Sequence, residues 1–379
     1  MLINYFDKYE IDTDSLKEKL DVIKNSNTEN AIYLAYIFEN AINYLYEDIS
    51  VRFKKISNLP STDSELVIYI DTIKDKNISF FEKNNCEQIL ILGNHSNKNI
   101  NEKIKLVNLK DYKKLKKYIK QFKNISFAIN IDKINIEKYF YGRMHSYFLH
   151  IANSLNEITI DKLKGNVEKV ITNIMLNDLN FKNEYKYLDD KIELKLVMKI
   201  YSEILVESNY NINKVFYYPS KDEYNLKEKM LLNEIENLIK MFNIRDEKER
   251  SSYIYDYMCE RMMKEIKALN YCKFENNKCI TSRYTKGFPK SKENGCCANT
   301  YLDKRKNCRY LNKDYSCKIC SISCRVFTCK YLQDRGIDHS LWQYPIIDCS
   351  MGKITRSKII HGFFTPKDVI IKRIYKGIR

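Results

Sequence analysis

Glycine is scarce in this chain of 379 residues, nine in all, and proline scarcer at five. Collagen-like and linker-like compositions are thereby excluded. The glycine-rich loops that cradle nucleotide phosphates are hard to build from so few glycines, and the sequence contains no such loop, no nucleophile elbow and no metalloprotease His–Glu pair. Histidine is limited to five residues and tryptophan to Trp342. No run of about 18 apolar residues occurs, the length needed for a helix to satisfy its backbone across a bilayer. The opening Met1-Leu2-Ile3-Asn4-Tyr5-Phe6-Asp7 offers no cationic stretch followed by an apolar one. These absences lead us to expect a cytoplasmic protein that makes no use of a membrane.

What is abundant is apolar and charged surface. Hydrophobic residues make up 44%, aromatic residues 13% and charged residues 30% of the chain, enough to bury packed cores and disfavour intrinsic disorder. At roughly 150 residues per domain, two or three domains are expected. Charge is distributed unevenly: of the net +16, residues 271–379 carry +15, from 23 basic and 8 acidic side chains. Ten of the 12 cysteines lie in the same segment, and only Cys86 and Cys259 fall outside it. The shift in composition predicts a boundary near 270, and the chain divides into an α/β domain at 1–133, a helical domain at 134–270 and a basic cysteine-rich module at 271–379.

Hydrophobic periodicity fills in the elements. Ala31, Ile32, Leu34, Ala35, Phe38, Ala41, Ile42 and Leu45 recur at helical spacing over 28–47, with Asn27 or Thr28 as cap, and a shorter helix is expected near Asp14–Ile23. Four β-type runs follow, at Leu66–Ile70, Gln88–Leu92, Lys105–Val107 and Ile125–Ile129. Their starts lie about 16 to 22 residues apart, which suits strand–helix–strand units in a small parallel sheet. The Lys-rich connection from Lys110 to Phe122 reads as a solvated helix face. Helices are expected at Ile134–Leu155, Asp161–Leu179, Tyr187–Ser208, Leu226–Phe242 and Glu247–Leu269, interrupted around Val215–Pro219 and packed as a bundle. Thr365-Pro366-Lys367-Asp368 starts a last helix. The fold class is therefore mixed α/β: a small parallel-type sheet with helices, a helical bundle segment and a metal-binding C-terminal module.

The densest motif is Cys317-x2-Cys320-x3-Cys324-x4-Cys329. A C-x2-C pair can turn both thiolates toward one ion while backbone N–H groups donate to sulfur, a knuckle that serves Zn²⁺ or an Fe–S cluster. Cys296, Cys297 and Cys308 upstream and Cys349 downstream complete eight candidate ligands, enough for two four-ligand sites or for one site plus structural thiols. Without a visible secretory leader, metal ligation is favoured over disulfides. Four thiolates on Zn²⁺, or on an oxidised [4Fe–4S] core, leave a net charge of −2, so two sites offset about four of the local positive charges. The remaining basic residues, Arg305, Lys306, Arg309, Lys313, Lys318, Arg325, Lys330 and Arg335, interleave with Tyr301, Tyr310, Tyr315, Phe327 and Tyr331. That mixture suits single-stranded nucleic acid, in which bases stack and phosphates pair.

The series Gly295-Cys296-Cys297, Cys308-Arg309-Tyr310-Leu311, Cys317, Cys320 and Cys324 through Leu332 resembles the cysteine-rich C-terminal modules of clostridial proteins. It is also similar to bacterial zinc- or iron-chelating cysteine families and to the SPASM-type auxiliary-cluster domains of radical-SAM enzymes, over about 55 residues. The resemblance implies bound zinc or Fe–S. Auxiliary-cluster domains run C-x2-C-x5-C-x3-C, where this chain has intervals of 2, 3 and 4. The C-x3-C-x2-C triad of radical-SAM chemistry has no counterpart, because the first 258 residues contain only Cys86.

Among the histidines, His145 and His150 are five apart and cannot chelate from one helix face. His95 follows a predicted strand, where ligands of parallel sheets gather, although a polar turn is the plainer reading. His339 and His361 flank Cys349 and offer a Cys3His alternative. Asp189-Asp190 reads as surface charge, and Trp342, Tyr344 and Pro345 as the cover of a small core. The expected function is an Fe–S protein, favoured over zinc, in electron transfer or as accessory to a maturation enzyme. The alternatives are a zinc-stabilised nucleic-acid-binding protein and a structural zinc module that meets a protein partner.

Overall fold

The computed structural model describes residues 12–26, 28, 31–40, 64–71, 78–135, 139, 151–181, 192–217, 226–270, 274–275, 278–279, 310, 312, 318–326, 330–333, 341 and 344–375. In chain order the strands are β1 (Leu66–Ile70), β2 (Gln88–Gly93), β3 (Lys98–Asn99), β4 (Ile104–Asn108), β5 (Ile125–Asn130), β6 (Ile134–Asn135), β7 (Ile192–Glu193), β8 (Ile212–Tyr217), β9 (Phe274–Glu275) and β10 (Lys278–Cys279). The helices are α1 (Thr13–Lys24), α2 (Ile78–Glu82), α3 (Lys116–Ile119), α4 (Ile160–Gly165), α5 (Val167–Phe181), α6 (Leu194–Glu207) and α7 (Leu226–Asn243), followed by α8 (Glu247–Leu269), α9 (Ile322–Val326), α10 (Lys330–Gln333), α11 (Pro345–Ser350), α12 (Lys353–Ile360) and α13 (Lys367–Tyr375). Residues 31–40 and 151–156 are also helical. Contacts divide the chain into two units, each assembled from separate segments: a sheet unit of Val51–Ile136 and Lys186–Arg245, and a helical unit of Met1–Ser50, Glu137–Tyr185 and Asp246–Arg379.

The sheet unit is built on a six-stranded sheet of order β3-β4-β2-β1-β5-β8. All neighbours are parallel except β3, which runs antiparallel to β4 at the edge. From β1 the chain steps outward through β2 and β4, then returns to the other side of β1 for β5 and β8, the doubly wound order. Strands covered on both faces read as continuous apolar runs rather than alternating ones, and every residue of Leu66-Val67-Ile68-Tyr69-Ile70 is buried. Alternate residues supply the two faces. On one, Val67, Tyr69, Phe81, Ile89, Ile91 and Cys86 share a core, with Tyr69 and Phe81 edge-to-face at 4.9 Å. The Tyr69 hydroxyl is paired there by the Asn84 amide at 2.6 Å. Phe127 packs edge-to-face on Tyr201 of α6 at 5.3 Å.

The sheet extends beyond the sequence expectation. The described part of the interruption around Val215–Pro219 belongs to the strand β8, paired with β5 from Ile125–Ile212 to Asn130–Tyr217. The expected helices at Ile134–Leu155 and Tyr187–Ser208 each yield two residues to the parallel β6–β7 pair. The expected helix Asp161–Leu179 is two, α4 and α5, because Gly165 ends the first and Asn166, with φ −162° and ψ 75°, leaves helical geometry. The Asn166 side chain accepts the Lys169 N–H at 3.0 Å and starts the next helix. Over Lys110–Phe122 the chain forms a 3₁₀ segment, Leu109–Leu115, and then α3. Its lysines are not simply solvated: Lys116 pairs with Glu203 at 3.0 Å and Lys120 with Glu207 at 2.9 Å, both acids on α6, and the Tyr112 hydroxyl donates to Glu203 at 2.7 Å.

In the helical unit, α8 packs against α9 and α13, α12 packs against α9 and α13, and α1 against α4. Helix α8 is well specified by sequence. The Asp246 carboxylate accepts the Glu249 N–H at 2.7 Å, Glu247 and Glu249 occupy the first turn, and Asn270 closes the end at φ 42°. Ser251, Ile254, Tyr255, Met258, Met262, Glu265 and Leu269 form its buried stripe. The expected helix at 28–47 is described over 31–40, and that near Asp14–Ile23 is α1, capped by the Asp12 side chain.

Candidate metal centre

Tyr255 and Cys259 are one turn apart on α8 and therefore share a face. Both reach the segment that carries two of the predicted ligands. The Tyr255 hydroxyl donates to the carbonyls of Ile319, at 3.0 Å, and Cys320, at 2.5 Å. The Cys259 thiol donates to the Cys320 carbonyl at 3.0 Å. These donors hold Cys320 at φ 40°, a left-handed conformation that costs a non-glycine residue on the order of 1 kcal/mol. The turn feeds directly into α9.

From α9 a second set of bonds ties the segment to the turn between α12 and α13. Ser321 donates to the Gly362 carbonyl at 3.1 Å, and Ser323 donates to the Ile359 carbonyl. The Phe364 N–H points at the Cys324 sulfur at 3.5 Å, with Phe364 itself at φ 56°. Gly362 leaves little room for a side chain, since a Cβ would lie 2.9 Å from the flexible end of Arg373 and 3.1 Å from the Ile359 carbonyl. A backbone N–H directed at a cysteine sulfur is the arrangement that knuckle-type sites use to spread thiolate charge.

The electrostatics centre on Arg325, which is 7% exposed. Its Nε and Nη2 have no hydrogen-bond partner among the described residues, and its positive charge favours the thiolate form of Cys320. The Cys320 thiol is held below its ordinary pKa, first by the hydrogen bond from Cys259 and then, against burial, by Arg325. Cys259 is pushed up by the same hydrogen bond and by burial. Arg325 was among the basic residues expected to meet phosphates, and its burial against sulfur withdraws it from that set.

The other predicted residues fall as follows. Cys349, on α11, has its sulfur 3.8 Å from the Tyr139 hydroxyl, which donates to Asp348 at 2.9 Å. Asp348 is bound on its other oxygen by Arg356 at 2.6 Å, and both charges are almost fully buried. Burial, together with the charges of Cys349 and Asp348, pushes the Tyr139 hydroxyl well above the usual tyrosine range. Cys296, Cys297, Cys308, Cys317 and Cys329 lie outside the described residues, as do His145, His150, His339, Asp189, Asp190 and Trp342. His361 is exposed at the end of α12, whereas Tyr344 and Pro345 are buried as expected. Among the described residues no three of histidine, cysteine, aspartate and glutamate converge on one point. No helix among them is long and apolar enough to cross a membrane.

No family model, curated protein or solved structure matches this chain. The site has to be read from its own residues. Sequence reasoning missed Tyr255 and, 58 positions ahead of the Cys317 knuckle, Cys259. Its signal was its place beside Tyr255 at the edge of an apolar stripe. Cys86, by contrast, sits in the sheet core, where burial pushes its thiol up, as befits an inert packing residue.

At the C-terminal edge of the sheet, where doubly wound folds take ligands, Asp71 and Asn130 are buried and bonded to each other at 3.1 Å. Neither ring nitrogen of the neighbouring His95 has a partner among the described residues, and burial holds its pKa below the ordinary value. The Asn108 amide donates to the His95 carbonyl at 2.7 Å, which fixes the turn.

Proposed function

We propose that this protein binds a cysteine-ligated metal cluster, iron–sulfur in preference to zinc, and serves in electron transfer or as accessory to a maturation enzyme. Cys317, Cys320, Cys324 and Cys329 are the ligand run, with Cys296, Cys297, Cys308 and Cys349 as the reserve from which a second site would draw. The observation that carries the reading is the buried Arg325 guanidinium, with unsatisfied donors, beside the Cys320 sulfur. A buried cation with donors to spare calls for a net-negative neighbour, and a four-thiolate centre supplies one. The Phe364 N–H on Cys324 is a donor to sulfur that would serve either metal, and on an iron–sulfur cluster it would also tune the reduction potential.

Elemental analysis and an absorption spectrum on anaerobically purified protein test this. Brown protein with absorbance near 400 nm and bound iron and sulfide is expected. A colourless protein with stoichiometric zinc would reject the iron–sulfur reading, and one with neither metal would reject the centre altogether.

A further inference from the structure

The sheet unit carries a site of a different kind, independent of the metal centre. We infer that the carboxyl ends of β2, β1 and β5 bind the vicinal hydroxyls of a small polyol, as a ribose or a free sugar presents them, with the His95 imidazole as principal partner. Topology points there first. The chain leaves β1 for β2 on one side and enters β5 on the other, so the ends of β1 and β5 form the switch point at which open α/β sheets take ligands. Asp71, directly after β1, and Asn130, the last residue of β5, face each other there, bonded at 3.1 Å and 5% and 2% exposed. On the β2 side, the missing side chain of Gly93 makes room for the His95 ring. A Cβ at Gly93 would lie 3.0 Å from both Cδ2 and Nε2 of His95 and 2.1 Å from the Asp71 carbonyl oxygen, so the ring and the end of β1 abut the same point.

The backbone of His95 is pinned and its ring is not. Its carbonyl accepts the Asn108 amide at 2.7 Å, and Asn97 in turn accepts the Asn108 N–H at 2.7 Å. Both ring nitrogens, however, are buried without a partner among the described residues. Leaving such a nitrogen unpaired costs about 1–3 kcal/mol, so no hydrogen bond holds the ring closed. Its neighbours Asn94 and Ser96 are exposed, and the ring can turn outward to admit a ligand. Burial keeps the imidazole below its ordinary pKa and hence neutral at about pH 7, with one nitrogen donating and the other accepting. A group that only accepts, such as phosphate, would serve the N–H alone and bring a second negative charge toward Asp71, whose charge already acts on this ring. An ammonium would serve the bare nitrogen alone. A hydroxyl donates and accepts, and two on adjacent carbons can satisfy an imidazole nitrogen and a neighbouring carboxylate or amide together.

Isothermal titration calorimetry on the full chain tests this, with adenosine, D-ribose and inorganic phosphate as separate probes. Saturable binding of adenosine or D-ribose, with Kd of about 1 mM or tighter, is expected. Binding of adenosine alone identifies a nucleoside as the source of the diol, and equal binding of D-ribose identifies a free sugar. Where adenosine binds, 2′,3′-dideoxyadenosine should bind about tenfold more weakly, the value of one lost hydrogen bond. His95→Ala should lose about as much, while Lys248→Ala, in the helical unit, binds as wild type does. Amide hydrogen exchange on the wild-type chain gives a reading that depends on no variant: the bound polyol should slow exchange over 93–97 at least about twofold and leave 255–262 unchanged. Absence of saturable binding by either polyol up to about 10 mM overturns the inference. So does binding that a folded His95→Ala chain retains in full, that the dideoxy analogue matches, or that leaves exchange at 93–97 unaltered. Phosphate binding more tightly than both polyols overturns the assigned chemistry.

Discussion

At the scale of single residues, the proposed centre depends on how Cys320 is held, its carbonyl bound by Tyr255 and Cys259 of α8. A cysteine at φ 40° does not stay there unaided, and Tyr255 is the residue that keeps it so. Tyr255 is almost fully buried, so its hydroxyl has no water to fall back on, and the two carbonyls it serves would lose a shared donor. Tyr255→Phe is therefore expected to destabilise the helical unit by about 1 kcal/mol, the cost of leaving the part-buried Ile319 carbonyl without its donor while Cys259 still serves that of Cys320. Because it also frees the turn at Cys320, it should weaken metal binding without removing any ligand. Urea unfolding followed by tryptophan fluorescence, alongside a metal titration, measures both; unchanged affinity in the variant would show that Cys320 needs no such support. None of this was legible from spacing. The run 317–329 announces that sulfur is concentrated, but the positive φ and the tyrosine arrive through tertiary contact 65 residues away.

Among the elements, legibility followed how local the determining forces are. Strands β1, β2, β4 and β5 and helices α7 and α8 were readable within a residue or two, because a buried apolar run or a capped amphipathic stripe is a local signal. Strand β8 was not: Ile212-Asn213-Lys214-Val215-Phe216-Tyr217 mixes polar and apolar residues, and its pairing with β5 spans 87 positions from Ile125 to Ile212. Only the sheet edge waiting for it makes it a strand. The tightest point in the sheet is Gly93, at the end of β2. A Cβ there would lie 2.1 Å from the Asp71 carbonyl oxygen, and backbone cannot swing aside as a flexible side chain would. Gly93→Ala should cost about 3 kcal/mol, the upper range for overpacking, by prising β2 from β1 where Asp71 N–H donates to the Leu92 carbonyl. Far-UV circular dichroism in a urea series would read this. A loss under 1 kcal/mol would mean that the strand ends yield more easily than their spacing indicates.

For the molecule as a whole, composition and contact divide the chain differently. Charge and cysteine content change near 270, yet contacts place Asp246–Arg379 together in the helical unit, so α8 belongs with the segment that follows it. Composition records where the cysteines become dense; it is silent about the helix that packs with their segment. Cys320 and Cys324, in the run proposed as ligands, both lie in this unit, so the energy of the proposed centre would be spent there. Metal binding to a site that does not preform is coupled to folding of the elements that carry the ligands. Removing the metal should then loosen α8 and α9 selectively. Amide hydrogen exchange on the full chain is expected to speed at least tenfold over 255–262 and 318–326 when chelator is added, while β1, β2 and β5 keep their protection, because their amides are locked in a sheet that holds none of the proposed cysteine ligands. Acceleration spread evenly over the sheet strands would mean that the metal acts elsewhere, and no acceleration at 318–326 would mean that the bonds from Tyr255, Ser321 and Ser323 hold the segment without it.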